Sequence, residues 1–166
     1  MNEMKPKRQM TEQEALFRLS ALCSSSEHCS FDVSEKMRRW ELPDVVQTKI
    51  MKKLVDEKFV DDNRYCRFFI NDKMKINKWG RRKIEQALYR KHICREISDP
   101  IFEEIGTRDS LDTLRKLIAD KRKTVKAKNE YELNGKLIKF ALGRGFEFSL
   151  VRKCLDTDGY HVEDDC

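Results

Sequence analysis

One apolar pattern occurs three times along the chain. The first copy is Val33, Met37, Leu42, Val46 and Ile50, the second is Ile84, Leu88, Ile93, Ile97 and Ile101, and the third is Leu137, Ala141, Phe146, Leu150 and Cys154. Each copy runs in steps of four, five, four and four, and the copies start 51 and then 53 positions apart. Helical spacing kept in register at a period of about fifty residues predicts one helical module used three times. A module of that size buries too little surface to be comfortable alone, so neighbouring copies must cover each other's stripes. The predicted fold is all-α, with three tandem three-helix repeats forming an elongated, curved helical body. Repeats of this kind build surfaces more readily than pockets, which suggests a protein that grips something long.

The repeats are expected at 11–59, 60–106 and 107–155, between a polar basic N-terminal segment, 1–10, and an acidic C-terminal tail, 156–166. In the first repeat, a helix from Glu12 to Cys23 places Ala15, Leu16, Leu19 and Leu22 on one face. Ser30 is the expected N-cap of the next helix, and Pro43 suits the first turn of the third. In the second repeat Asp62 is the expected N-cap, with Asp61 as the alternative, and Cys66, Phe69 and Ile70 point inward. Trp79-Gly80 makes a loop, and Pro100 predicts a late start or a kink in the helix near Arg95–Ile105. In the third repeat Ser110 caps a helix bearing Leu111, Leu114, Leu117 and Ile118, and Gly143 and Gly145 break the helix that follows.

Composition narrows the function classes. Charged residues make up 39% of the 166 positions and hydrophobic residues another 39%, and only three Pro and six Gly punctuate them, as fits narrow apolar stripes on helices. No run approaches the ~18 apolar residues of a membrane span, and Met1–Met10 lacks the apolar stretch of a signal peptide. A cytoplasmic protein without a membrane partner is expected. The six cysteines, Cys23, Cys29, Cys66, Cys94, Cys154 and Cys166, include no CxxC pair, so core packing is favoured over disulfides or zinc. Glu27-His28-Cys29 is an isolated ligand pair with no second pair nearby, and no metal site is expected. The three histidines, His28, His92 and His161, lie in unrelated contexts, and no phosphate-binding GxxxxGK[ST] loop occurs. No catalytic residues and no cofactor are expected, and the chain reads as a binding protein rather than an enzyme. Polar repeat ends suggest a monomer.

A series of residues then suggests a family. Phe59-Val60-Asp61-Asp62-Asn63-Arg64-Tyr65 is followed by Trp79-Gly80-Arg81-Arg82-Lys83-Ile84 and by Leu88-Tyr89-Arg90-Lys91-His92-Ile93. This series resembles the bacterial regulatory protein family RecX, and Ala15-Leu16, Leu19 and Lys36-Met37-Arg38-Arg39 are similar in the first repeat. The resemblance covers about Ala15 to Leu155 and is weakest in the third repeat. Cys66 and Ala87 depart from the family pattern, and both suit a helix. The resemblance implies tandem three-helix repeats and a partner, the recombinase RecA. It implies binding in the groove of the RecA–single-stranded DNA filament, with inhibition of strand exchange, ATP hydrolysis and coprotease activity.

The charge pattern supplies candidate contacts. The net charge is +6, but its distribution says more: bases crowd 73–95, an acidic stretch follows at 96–112, and bases return at 115–128. Such alternation steers a protein onto a polyanion or an acidic groove. The candidate partner- or DNA-binding residues are Lys73, Lys75, Lys78, Trp79, Arg81, Arg82, Lys83, Arg90, Lys91, Lys121, Arg122 and Lys123. Arg and Lys contact phosphate or carboxylate, and Trp79 either stacks on a base, anchors a protein contact or packs across its loop. Two function classes follow. One is a regulator acting on the RecA filament; the other is a helical-repeat protein that binds single- or double-stranded DNA directly, independently of RecA.

Overall fold

The computed structural model describes residues 7–156, so residues 1–6 and nearly all of the predicted acidic tail, with His161 and Cys166, lie outside the described residues. The described residues form nine helices and no strand: α1 Glu12–Ser25, α2 Ser30–Arg39, α3 Asp44–Asp56, α4 Asp62–Lys75, α5 Arg81–Arg90, α6 Arg95–Ile105, α7 Arg108–Thr124, α8 Glu130–Gly143 and α9 Phe148–Asp156. They divide into two compact units, one ending at Cys66 and the other beginning at Arg67. In the first unit α3 packs on α1 and α2. In the second, α7, α8 and α9 pack on one another.

The tripled pattern is the core. Its first, second, third and fifth positions are buried in every copy, from Val33, Met37, Leu42 and Ile50 to Leu137, Ala141, Phe146 and Cys154. The fourth position, Val46, Ile97 and Leu150, is half-buried in every copy. Even the incomplete burial therefore repeats.

The single step of five is a helix-ending turn. Leu42, Ile93 and Phe146 donate their backbone N–H to the carbonyls of Met37, Leu88 and Ala141, at 3.3, 3.1 and 3.2 Å. The preceding residues, Glu41, His92 and Gly145, adopt positive φ (56°, 56° and 91°) and donate to Arg38, Tyr89 and Leu142. This is the Schellman arrangement, in which the residue after the left-handed one packs back on the last turn. The second and third apolar positions of each copy are thus the two ends of that hydrophobic clasp. The third helices α3, α6 and α9 start at the same 51- and 53-residue intervals as the pattern.

Several helix starts differ from the sequence reading. Thr11 caps α1 in a capping box with Glu14. Cys29, not Ser30, is the N-cap residue of α2, and Pro43 precedes α3 instead of opening it. Asp61 caps α4 by accepting from the Arg64 N–H at 3.0 Å. Asp62 reaches away to α2, accepting from the Ser30 N–H at 2.7 Å and from its hydroxyl at 2.6 Å. A carboxylate at the positive end of α2 satisfies donors that Cys29 cannot. Thr107 rather than Ser110 precedes α7. Pro100 does not delay α6, which starts at Arg95. Pro100 and Glu96, whose carbonyl loses its helical donor there, are both exposed, so water can take up that acceptor.

Of the cysteines, Cys29, Cys66 and Cys154 are buried, Cys23 is half-buried and Cys94 is exposed. Burial pushes the Cys29 thiol up to about 11. Among the described residues no group of His, Cys, Asp and Glu is placed to hold a metal ion, and no helix is long and apolar enough to cross a membrane.

Candidate functional site

Helix α5 starts under electrostatic difficulty. Its first turn is Arg81-Arg82-Lys83, with no acidic residue, at the end where the helix dipole is positive. Its N-cap, Gly80, offers no side-chain acceptor. The turn after α8 supplies what is missing. Gly80 donates its N–H to the Arg144 carbonyl at 2.8 Å, and Arg82 donates to the Gly145 carbonyl at 3.0 Å. The carbonyls closing α8 therefore meet the amides opening α5.

Two glycines permit this approach. A Cβ on Gly80 would stand 2.5 Å from the Gly145 carbonyl oxygen, and one on Gly145 would stand 2.5 Å from the Lys83 amide nitrogen. No real side chain fits at either position without moving backbone.

The clasp carries an aromatic and basic surface. The Lys73 and Lys83 ammonium groups lie over the Trp79 ring, 5.2 and 4.6 Å from its centroid. Arg144 donates to the Asn77 carbonyl at 3.2 Å and sets its guanidinium carbon 5.4 Å from the Phe140 centroid. The Lys121 ammonium lies 5.1 Å from that same ring. Two basic segments, separate in sequence, are joined on one surface through Phe140 and Arg144. Trp79 is half-buried, so it packs within this cluster and also reaches solvent. Lys73 also pairs with Asp72 at 3.7 Å, and the cation–π contacts hold both ammonium groups beside the ring.

The remaining predicted residues are distributed differently. Arg81 is half-buried and committed to partners within the fold, with its guanidinium bonded to Glu85 at 2.5 Å and Asp99 at 3.2 Å and stacked 4.6 Å from the Phe102 centroid. Partial burial pulls its pKa down, but Glu85, with Asp99 and Glu147 behind it, raises it overall. Lys75 and Lys78 line another cleft, which Asp109 and Asp112 also line. Arg82 and Arg90 line a cleft between α5 and α6. Lys91 is the C-cap residue of α5, Arg122 is half-buried, and exposed Lys123 pairs with Asp120 at 3.8 Å. Phe140 and Arg144 were not singled out from the sequence. Their i,i+4 spacing in one helix turn was the available signal, hidden because Gly143-Arg144-Gly145 reads as a helix break.

Fold and surface define a class: an all-helical repeat protein that carries a basic, aromatic face. A family model described as the second three-helix domain of RecX matches residues 61–99, and one described as the third three-helix domain of RecX matches 108–155. Together these cover more than half of the chain, which belongs to the RecX family of regulatory proteins. Regulatory protein RecX of Finegoldia magna is 28% identical over 124 residues, covering 74% of this chain and 60% of that protein. The Clostridium perfringens protein of that name is 31% identical over 111 residues, covering 63% and 51%. The Chlorobium limicola one is 24% identical over 134 residues, covering 81% and 82%. The chain thus spans little more than half of the first two relatives. The crystal structure of RecX from Lactobacillus salivarius superposes with a TM-score of 0.79 at 16% identity, covering 88% of this chain and 95% of that one. A second RecX crystal structure gives 0.80 at 19% identity, covering 87% and 73%. These two likenesses establish the fold.

Proposed function

We propose that this protein binds the RecA–single-stranded DNA filament and inhibits its recombinase, ATPase and coprotease activities, acting by stoichiometric binding rather than by turnover. Membership of a regulatory family supports this reading, and the Trp79 surface carries it. Lys73, Lys83, Lys121 and Arg144 present positive charge around two aromatic rings, with Trp79 and Phe140 as anchors. Such a face is complementary to an acidic protein groove that also exposes a phosphate backbone. In this proposal the three repeats, 11–59, 60–106 and 107–155, bridge neighbouring subunits, and docking blocks duplex entry or filament growth. A ligand that prefers one filament conformation also shifts the populations of the others.

The lysines over Trp79 favour one second reading, direct binding of single-stranded nucleic acid with bases stacked on the ring. Binding to a fluorescent oligonucleotide separates the two, measured on the bare strand and on the strand coated with RecA and a slowly hydrolysed ATP analogue. Much tighter binding to the coated strand, weakened about tenfold by Lys73→Ser with Lys83→Ser, is the expected result. Equal or tighter binding to the bare strand, with a steep salt dependence, would replace the filament reading by the nucleic-acid one.

A further inference from the structure

The cleft between α5 and α6, of about 910 Å³, belongs to a different face from the Trp79 surface. Arg82, Glu85 and Tyr89 share one side of α5, and Lys83 stands about 100° away around the helix. Leu88 and Ile93 contribute the apolar lining, and Arg82, Arg90 and Arg95 contribute the cations. Tyr89 also lines the cleft yet is 81% exposed, an aromatic side chain left in water.

The charge at this cleft is available. Arg67, Arg81, Arg115 and Arg152 each pair with a carboxylate of the fold. Among the described residues Arg82, Arg90 and Arg95 make no such pair. The two carboxylates that line the cleft are already engaged. Glu85 holds Arg81 at 2.5 Å, and Glu96, at the start of α6, is kept below the usual carboxylate range by a backbone hydrogen bond and one from Cys94. The cleft therefore combines an apolar lining and an unburied ring with three guanidinium groups that have no carboxylate partner among the described residues, against one unpaired carboxylate, Glu96.

We propose that this cleft docks an extended acidic peptide segment of a partner protein, with one apolar side chain seated against the exposed Tyr89 ring, above a floor to which the buried Leu88 and Ile93 contribute. Carboxylates on either side of the anchor meet the guanidinium groups in bidentate pairs, the geometry for which arginine is suited. Burying Tyr89 supplies the hydrophobic contribution. Charge complementarity calls for an anion, and the apolar lining selects a peptide over nucleic acid. A phosphate backbone is bound by cations spread along a track rather than gathered at one cleft. The proposal needs neither RecA nor the Trp79 surface.

The test uses fluorescence anisotropy of the full chain at about 100 mM salt, with a fluorescein-labelled peptide of sequence Asp-Glu-Asp-Leu-Phe-Asp-Asp-Glu. Saturable binding is expected. It should weaken about tenfold when Leu-Phe becomes Ser-Ser, and about tenfold in an Arg90→Ser, Arg95→Ser variant. Lys73→Ser with Lys83→Ser should leave it unchanged. Tyr89→Ala, at a largely exposed position, gives an independent loss should the double variant fold poorly. No saturable binding to the native chain would overturn the proposal, as would binding indifferent to both the arginines and Tyr89. So would a labelled oligothymidylate that displaces the peptide and itself depends on Arg90 and Arg95, which would make the cleft a nucleic-acid groove.

Discussion

Alanine at Gly145 and alanine at Gly143 should have opposite effects, although the positions are two residues apart. At Gly145 the backbone has φ +91°, and a Cβ would stand 2.5 Å from the Lys83 amide nitrogen. A left-handed conformation costs a non-glycine residue about 1–2 kcal/mol. Displacing the turn also breaks the bonds from Gly80 to the Arg144 carbonyl and from Arg82 to the Gly145 carbonyl. Each such bond is worth about 0.5–1.5 kcal/mol net. The stiffer unfolded chain returns about 0.4–1 kcal/mol. The expected loss is about 3 kcal/mol, within bounds of about 1 and 4.5. For a chain of this length that lowers Tm by about 6–12 °C. Gly143 is the last residue of α8, and nothing lies within 4 Å of a Cβ built there. Alanine at that position should stabilise by about 0.4–1 kcal/mol. Thermal unfolding followed by circular dichroism reads the difference, and hydrogen exchange at the Gly80 and Arg82 amides reads the clasp itself. A Gly145→Ala protein that melts with the parent and keeps both amides protected would refute the clasp.

Three further outcomes are expected. Asp62→Ala removes the acceptor from the start of α2 and should cost about 1–3 kcal/mol in urea unfolding, although Asp61 still caps α4. Glu41→Gly relieves a left-handed residue at the first helix-ending turn and should stabilise by about 0.5 kcal/mol, net of the added freedom of the unfolded chain; a loss of stability would count against that turn. Stability should fall in alkali. Burial raises the Cys29 thiol from 9.0 to about 11 in the folded state and also raises the Tyr65 phenol. The unfolded chain therefore gives up the Cys29 proton first, and the stabilisation present below pH 9 is lost as pH approaches 11. Cys29→Ala should flatten that part of the unfolding profile.

Much of the fold was written in the order of residues. Steps of four place side chains on one helical face whatever surrounds them, so the buried positions of all three repeats follow from spacing alone. The step of five marked the helix-ending turn in each repeat, because the residue after a left-handed one must return to the same stripe. The left-handed positions themselves, Glu41 and His92, carried no glycine to announce them.

What spacing could not assign was the destination of groups whose partners lie far along the chain. Asp61 and Asp62 are chemically identical neighbours, and only the tertiary approach of Asp62 to Ser30 decided which would cap its own helix and which would reach across to α2. Arg81, Arg82 and Lys83 form one basic run. The helix turns them about 100° apart, sending one to Glu85 and Asp99, one to the α5–α6 cleft and one over Trp79. Gly80 and Gly145 look like ordinary loop residues until two backbones meet at them. Local periodicity is a property of the chain by itself and fixed the helices and their buried faces. Hydrogen bonds and charges depend on distances that only tertiary packing sets, so the caps, the clasp and the basic, aromatic surface were decided there.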